Sequence, residues 1–165
     1  MAKVEVGERA PDFALPNQAG EVVRLDDVVG KKAVVLYFYP KDETAGCTAE
    51  ACGFRDRYEA FLDAGAEVIG VSSDPPGSHR SFAAHHRLPF ILLSDEKDEV
   101  RRLYGVPRTL GIIAGRVTYV IDRRGIVRHV FSSQFDAAKH VDEALAALRQ
   151  LAAEERPPDT GDDPS

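Results

Sequence analysis

Short unbroken apolar runs alternate along this chain with longer segments in which apolar residues recur every third or fourth position. "AVVLYFY" (Ala33–Tyr39) is rich in β-branched and aromatic residues and ends at Pro40, the pattern of a central strand covered on both faces. "AEVIGVSSD" (Ala66–Asp74) and "RVTYVID" (Arg116–Asp122) predict two further strands. "GIVRHVF" (Gly125–Phe131) alternates, with Arg128 and His129 interrupting the apolar positions. It predicts an antiparallel neighbour reached through the tight turn "DRRG" (Asp122–Gly125).

Helices are predicted between these strands. From Thr48 to Ala64, the residues Phe54, Tyr58, Phe61 and Leu62 fall at i, i+4, i+7 and i+8, which predicts one helix with a single buried stripe, stopped at Gly65. "DPPGSHRSFAAHHR" (Asp74–Arg87) predicts a turn followed by a helix, and "DEKDEVRRLYG" (Asp95–Gly105) a short one. "DAAKHVDEALAALRQL" (Asp136–Leu151) predicts a terminal helix with Asp136 as its N-cap. The tail "EERPPDTGDDPS" is polar and rich in Pro and Asp, so a globular domain is expected over residues 1–153 and a disordered tail over 154–165. Strands alternating with helices, then a hairpin and a last helix, place the chain in the α/β class, with a central mixed β-sheet flanked by helices.

A length of 165 residues fits one domain with a full core of its own. The formal net charge of −6 argues against nucleic acid or an anionic membrane surface as the main partner. The first residues, "MAKVEVGERAPDFALP", contain no apolar core segment, and no run elsewhere is long enough to span a bilayer. A cytoplasmic location is the expectation, and there reducing systems keep thiols free. Two cysteines in such a chain are more often catalytic, redox-active or merely buried than a structural disulfide.

The candidate chemistry sits in "YFYPKDETAGCTAEAC" (Tyr37–Cys52), which holds both cysteines. Cys52 lies five residues after Cys47, a spacing that is neither C-x-x-C nor usual for zinc. The first crossover puts the loop "PKDETAG" and Cys47 at the carboxyl end of a central strand, where open α/β sheets gather their active sites. A free cysteine, with a pKa of about 8.5, is only ~3% thiolate at neutral pH. The first turn of a helix favours an anion. Pro40 would cover the sulfur, Thr44 offers a hydroxyl, and Gly46 permits close backbone approach. His85 and His86 suggest a metal, but neighbours on a helix point about 100° apart, so no metal is expected between them and the cysteines.

The segment Pro40–Cys47 reads P-x-x-x-T-x-x-C, which resembles the active-site pattern of the peroxiredoxins. The continuation "CTAEAC" is similar to the peroxiredoxin Q, or bacterioferritin-comigratory protein, branch. The likeness runs through "GERAPDFALPNQAG", "VIGVSSD", "LPFILLSDE" and "GRVTYVIDRRGIVRHVFSSQFDAAKHVDEAL". It implies a thioredoxin-like fold and a thiol peroxidase acting on hydrogen peroxide and alkyl hydroperoxides, with no cofactor. By position, Cys47 would be the peroxidatic nucleophile, with Pro40 and Thr44 completing its loop. Arg116 would stabilise the thiolate and Cys52 would be the resolving cysteine, in a disulfide recycled by a thioredoxin-like reductant. A monomer is the expectation by analogy with the branch.

Plainer readings exist for each residue. Cys52 could be inert, Thr44 only a helix cap and Arg116 a strand-edge charge. Glu50 reads as a helix-dipole charge and is left outside the catalytic set. The competing function is a redox-sensing or holdase-type binding protein. A disulfide-exchange protein would need C-x-x-C, and a glutathione-peroxidase-type enzyme would use a tryptophan, which this chain lacks. Residues five apart on an intact helix have Cα atoms roughly 8.6 Å apart and point about 140° away from each other, whereas a disulfide needs less than about 7 Å. Linking Cys47 to Cys52 therefore requires the helix to unwind.

Overall fold

The computed structural model describes residues 4–106, 108–109, 113–133 and 136–155. The chain opens with a small antiparallel pair, β1 (Ala14–Pro16) and β2 (Val22–Arg24), and a short helix α1 (Leu25–Val29). The central strand β3 (Ala33–Phe38) follows, then helices α2 (Ala45–Asp56) and α3 (Tyr58–Asp63) and strand β4 (Ala66–Ser72). Next come α4 (Pro76–His86), β5 (Ile91–Ser94), α5 (Glu99–Tyr104) and two short strands, β6 (Arg108–Thr109) and β7 (Ile113–Ala114). The chain then forms β8 (Val117–Ile121), β9 (Val127–Ser132) and α6 (Ala137–Glu155).

Five strands form one mixed sheet in the order β5-β4-β3-β8-β9. β4 is parallel to both β3 and β5, while β8 is antiparallel to β3 and β9. Every residue of β3 is buried, and its alternation divides the interior in two. Val35, Tyr37 and Tyr39 face one cluster with Cys47, Ala51, Phe54, Phe61, Phe82 and the α6 residues Val141, Leu145 and Leu148. Val34, Leu36 and Phe38 face a second, with Leu25, Val100, Tyr104 and Tyr119. Each β3 side chain thus has a helix layer to enter, which explains the run of apolar residues without polar alternation. Among the described residues no helix is long and apolar enough to cross a membrane.

The expected α/β class, the mixed sheet, and the turn from Asp122 to Gly125 are all present; the Gly125 amide donates to the Asp122 carbonyl and Gly125 has φ +85°. Three features differ from expectation. β5 was not foreseen, because "ILLS" is too short for periodicity to distinguish it from a loop. The helix expected from Thr48 to Ala64 starts earlier, at Ala45, and is broken at Arg57, which has φ −109° and ψ 9°. That break resets the periodicity and leaves Leu62, expected in the buried stripe, 39% exposed. The expected boundary at residue 153 falls within α6, and residues 156–165 of the expected tail lie outside the described residues.

Candidate active site

Cys47 sits in the first turn of α2, directly beyond the carboxyl end of β3, and is 1% exposed. Its face of the helix is fixed by the spacing of Cys47, Glu50, Ala51 and Phe54, at i, i+3, i+4 and i+7, all of them buried. Tyr37 stacks on Phe54 with ring centroids 4.7 Å apart and anchors this face to the sheet. Gly53 allows close approach on another side, where an added Cβ would lie 3.0 Å from Val141 of α6. No acidic residue occupies the first turn of α2, so the positive end of the helix dipole is left to the sulfur.

Arg116, at the start of β8, reaches this turn from the neighbouring strand. Its Nη2 donates to Cys47 Sγ at 3.4 Å, and its Nη1 donates to Glu50 Oε1 at 2.5 Å. Register explains the meeting: Phe38 at the end of β3 pairs with Val117, so the residue before Val117 stands level with the loop that leaves β3. Burial alone would lower the Arg116 pKa, but the charges of Glu50 and Cys47 outweigh it and hold the guanidinium above its usual value. A cation beside sulfur favours the thiolate over the thiol. Gly46 leaves the guanidinium room, since an added Cβ there would stand 3.0 Å from Nη2.

Glu50 was set aside at the sequence level as a dipole charge, and the structure corrects that reading. Its side chain is fully buried and paired with Arg116. Burial pushes its pKa up from 4.5 to about 7, against the pull of Arg116. Among the described residues its second oxygen, Oε2, has no hydrogen-bond partner; it lies 3.6 Å from His140 Nδ1. His140 donates from Nε2 to the Ser133 carbonyl at 2.7 Å, and Thr118 Oγ1 lies 2.8 Å from Nδ1. Burial, together with the Arg116 charge, lowers the His140 pKa. The neutral ring therefore offers Glu50 a lone pair rather than a proton, which leaves Oε2 as the weak point of the network. The available signal was the i, i+3 spacing from Cys47, which puts Glu50 on the same buried face.

The loop between β3 and α2 is pinned from beneath by Asp42, another residue the sequence did not single out. Asp42 is 5% exposed and accepts from the Tyr39 hydroxyl at 2.6 Å and the Ser78 hydroxyl at 2.8 Å. His79 Nδ1 faces it at 2.7 Å, while His79 Nε2 donates to the Leu93 carbonyl at 2.9 Å. The Asp42 amide donates to Asp74 Oδ2 at 2.8 Å. Behind the loop, Arg101 donates to the Tyr39 carbonyl at 3.0 Å and the Gly115 carbonyl at 2.8 Å. Apart from the Tyr39–Asp42 bond, these contacts join residues 14 or more positions apart, so no local pattern announced them.

Pro40 lies half-buried two residues beyond β3, and Thr44 occupies the N-cap position of α2. The Thr44 hydroxyl makes no cap bond to the helix; it donates instead to the Lys41 carbonyl at 2.8 Å. That arrangement leaves its oxygen lone pairs as acceptors. Cys52 is half-buried on α2, and both thiols are free. Arg116 thus meets Cys47, while Pro40 and Thr44 lie in the loop that leads into α2 and Cys52 remains on the same unbroken helix as Cys47.

A mixed thioredoxin-like sheet with a buried cysteine at a helix N-terminus, faced by an arginine, defines a thiol-chemistry class of protein. Residues 6–130 match the model of the AhpC/TSA family. The chain is 51% identical over 152 residues to chloroplastic peroxiredoxin Q of Populus jackii, covering 92% of this chain and 71% of that protein. It is 53% identical over 150 residues to the Arabidopsis thaliana protein of the same name, covering 90% and 69%. Among solved structures it resembles the peroxidoxin BcpB of Mycobacterium tuberculosis, with 40% identity, a TM-score of 0.84, and coverage of 90% of this chain and 98% of that one. A Xanthomonas campestris bacterioferritin comigratory protein, described with its alkyl peroxide reduction activity, matches at 31% identity and TM-score 0.79, covering 92% and 99%. The chain belongs to the AhpC/TSA family and is a thiol-dependent peroxidase, an oxidoreductase.

The cytoplasmic expectation is overturned by these relatives, which are named chloroplastic and point to a plastid. Free thiols and an acidic folded domain describe any reducing compartment equally well, so the composition of the domain held no address to read.

Proposed function

We propose that Cys47 is the peroxidatic nucleophile of this chain and that it reduces hydrogen peroxide and alkyl hydroperoxides. The observation that carries the reading is the 3.4 Å contact between Arg116 Nη2 and the buried Cys47 sulfur at the α2 N-terminus. The Cys47 thiolate attacks one peroxide oxygen, the O–O bond breaks, and the departing oxygen leaves as water or an alcohol. Arg116 offsets the charge on the departing oxygen as it develops. Thr44 accepts a hydrogen bond from the peroxide, and Pro40 shields the sulfur from bulk water.

The resulting Cys47 sulfenic acid condenses with the Cys52 thiol, expelling water and forming a disulfide. A thioredoxin-like dithiol returns both cysteines to thiols and is itself oxidised. The unit acts as a monomer. Stopped-flow consumption of peroxide by reduced wild type, Cys47→Ser and Cys52→Ser tests the assignment. Cys47→Ser loses all fast consumption, and Cys52→Ser keeps a single turnover. Fast consumption by Cys47→Ser would remove Cys47 from the role.

A further inference from the structure

We propose that Glu43, His85 and His86 form a binding site for a divalent first-row transition-metal ion, such as Zn2+, where the loop that enters α2 meets the end of α4. The two rings were expected to diverge by about 100° as neighbours on a helix. In the structure they converge, because each uses a different nitrogen. His85 Nδ1 lies 3.0 Å from Glu43 Oε2, and His86 Nε2 lies 2.9 Å from Glu43 Oε1. The rings are 4.1 Å apart between centroids. One ligand atom from each residue lies within 4.8 Å of the other two.

Two imidazoles and one carboxylate are a donor set suited to Zn2+, Cu2+ or Ni2+, with further positions left for water. A tetrahedral ion with bonds of about 2.1 Å sets its ligands roughly 3.4 Å apart, so an opening of about half an ångström at each N–O contact admits it. Glu43 and the His85 side chain are well exposed, which leaves an entry path and room for that movement. The His86 ring is held at its edge by Phe82, 5.2 Å away between centroids. An ion would take the Nδ1 lone pair of His85 and the Nε2 lone pair of His86 in place of their hydrogen bonds to Glu43, each ring keeping its proton on the other nitrogen.

A second cluster, Asp42, Asp74 and His79, makes a useful contrast. Its ligand atoms are already engaged with Tyr39, Ser72, Ser78 and the Leu93 carbonyl in a buried network, so it carries structure rather than a site for an ion.

The position gives the ion a consequence, which rests on the proposed chemistry although the binding itself does not. Glu43 precedes Thr44 in the loop that enters α2, and His85 and His86 close α4. An ion shared between them would tie the loop to α4 and resist the unwinding that brings Cys52 to Cys47, so the bound metal slows disulfide formation.

Binding is measured on the full chain carrying Cys47→Ser and Cys52→Ser, which removes thiol ligands. Co2+ is followed by its visible spectrum and Zn2+ by competition. The result expected is one equivalent of Co2+, displaced by Zn2+, with affinity falling at least ~10-fold in His85→Ala, His86→Ala and Glu43→Gln. Saturation only in large excess, or affinity unchanged by those substitutions, overturns the site. In the chain with both cysteines, one equivalent of Zn2+ should slow disulfide formation and fail to do so in His85→Ala/His86→Ala. Slowing that persists in that variant assigns the effect to the thiols and overturns the regulatory consequence.

Discussion

Arg116 bridges two side chains on one face of α2, with Nη2 at 3.4 Å from Cys47 Sγ and Nη1 at 2.5 Å from Glu50 Oε1. One guanidinium fork is thus shared between the reacting sulfur and a carboxylate that fixes the fork's orientation. Lysine could not reproduce this, having a point charge rather than two parallel donors.

Arg116→Met should slow the reaction of Cys47 with hydrogen peroxide by roughly 100- to 1,000-fold, the usual effect of deleting a preorganised donor from a developing charge. Arg116→Lys should recover only part of that loss. Stopped-flow rates decide; a rate within threefold of wild type would remove Arg116 from the mechanism.

Gly46→Ala should separate activity from stability. Alanine is favoured over glycine within a helix by about 1 kcal/mol, yet the new Cβ would stand 3.0 Å from Arg116 Nη2 and push it off the sulfur. The variant should melt no lower than wild type while reacting with peroxide at least ~10-fold more slowly. An unchanged rate would show that the guanidinium yields freely.

Stability should respond to pH through Glu50 with a defined sign. Its folded pKa, about 7, lies above the ordinary 4.5, so the folded state holds this proton more tightly than the unfolded chain. This contribution is fully present below pH 4.5 and is lost as pH rises through about 7. The lowered pKa of buried His140 acts oppositely, costing stability as pH falls below the usual imidazole range. Glu50→Gln removes only the first effect, so the melting temperature of Glu50→Gln minus that of wild type should increase between pH 5 and 8. A flat difference would contradict the raised Glu50 pKa.

Asp42→Ala should destabilise the chain by about 3 kcal/mol, because it leaves the buried Tyr39 hydroxyl and His79 Nδ1 without the carboxylate they share. Urea unfolding measures this. A loss below 1 kcal/mol would mean that the loop is anchored elsewhere.

What could be read beforehand follows from the range of the forces involved. The run Ala33–Tyr39 announced its strand because both of its faces are buried, and the loop from Pro40 to Cys47 carried a pattern specific enough to point to its family. Arg116 was reachable only through that likeness, since its approach to Cys47 depends on the pairing of Phe38 with Val117 across the sheet. Glu50 was legible in principle from helical spacing, but its charge argued for solvent until Arg116 supplied a buried partner. Asp42, His79 and His140 were not legible at all, because their bonds join the β3–α2 loop, α4, β5, β8 and α6 across the fold.

Hydrogen exchange should report the cost of bringing the two cysteines together. Both lie on α2, with Cα atoms roughly 8.6 Å apart by helix geometry, beyond the reach of a disulfide. Amides of residues 47–53 should be protected in the reduced chain and exposed in the oxidised one, while β3 and α6 stay protected in both. Equal protection of α2 in the two forms would rule out unwinding.

The most direct test is a rapid-quench mass-spectrometric time course of the reduced chain with one equivalent of hydrogen peroxide. Wild type should lose two hydrogens with no retained oxygen, with Cys47 and Cys52 found joined in a single peptide, while Cys52→Ser should retain one oxygen on Cys47. Oxygen retained elsewhere, or a disulfide formed between chains instead, would contradict the account.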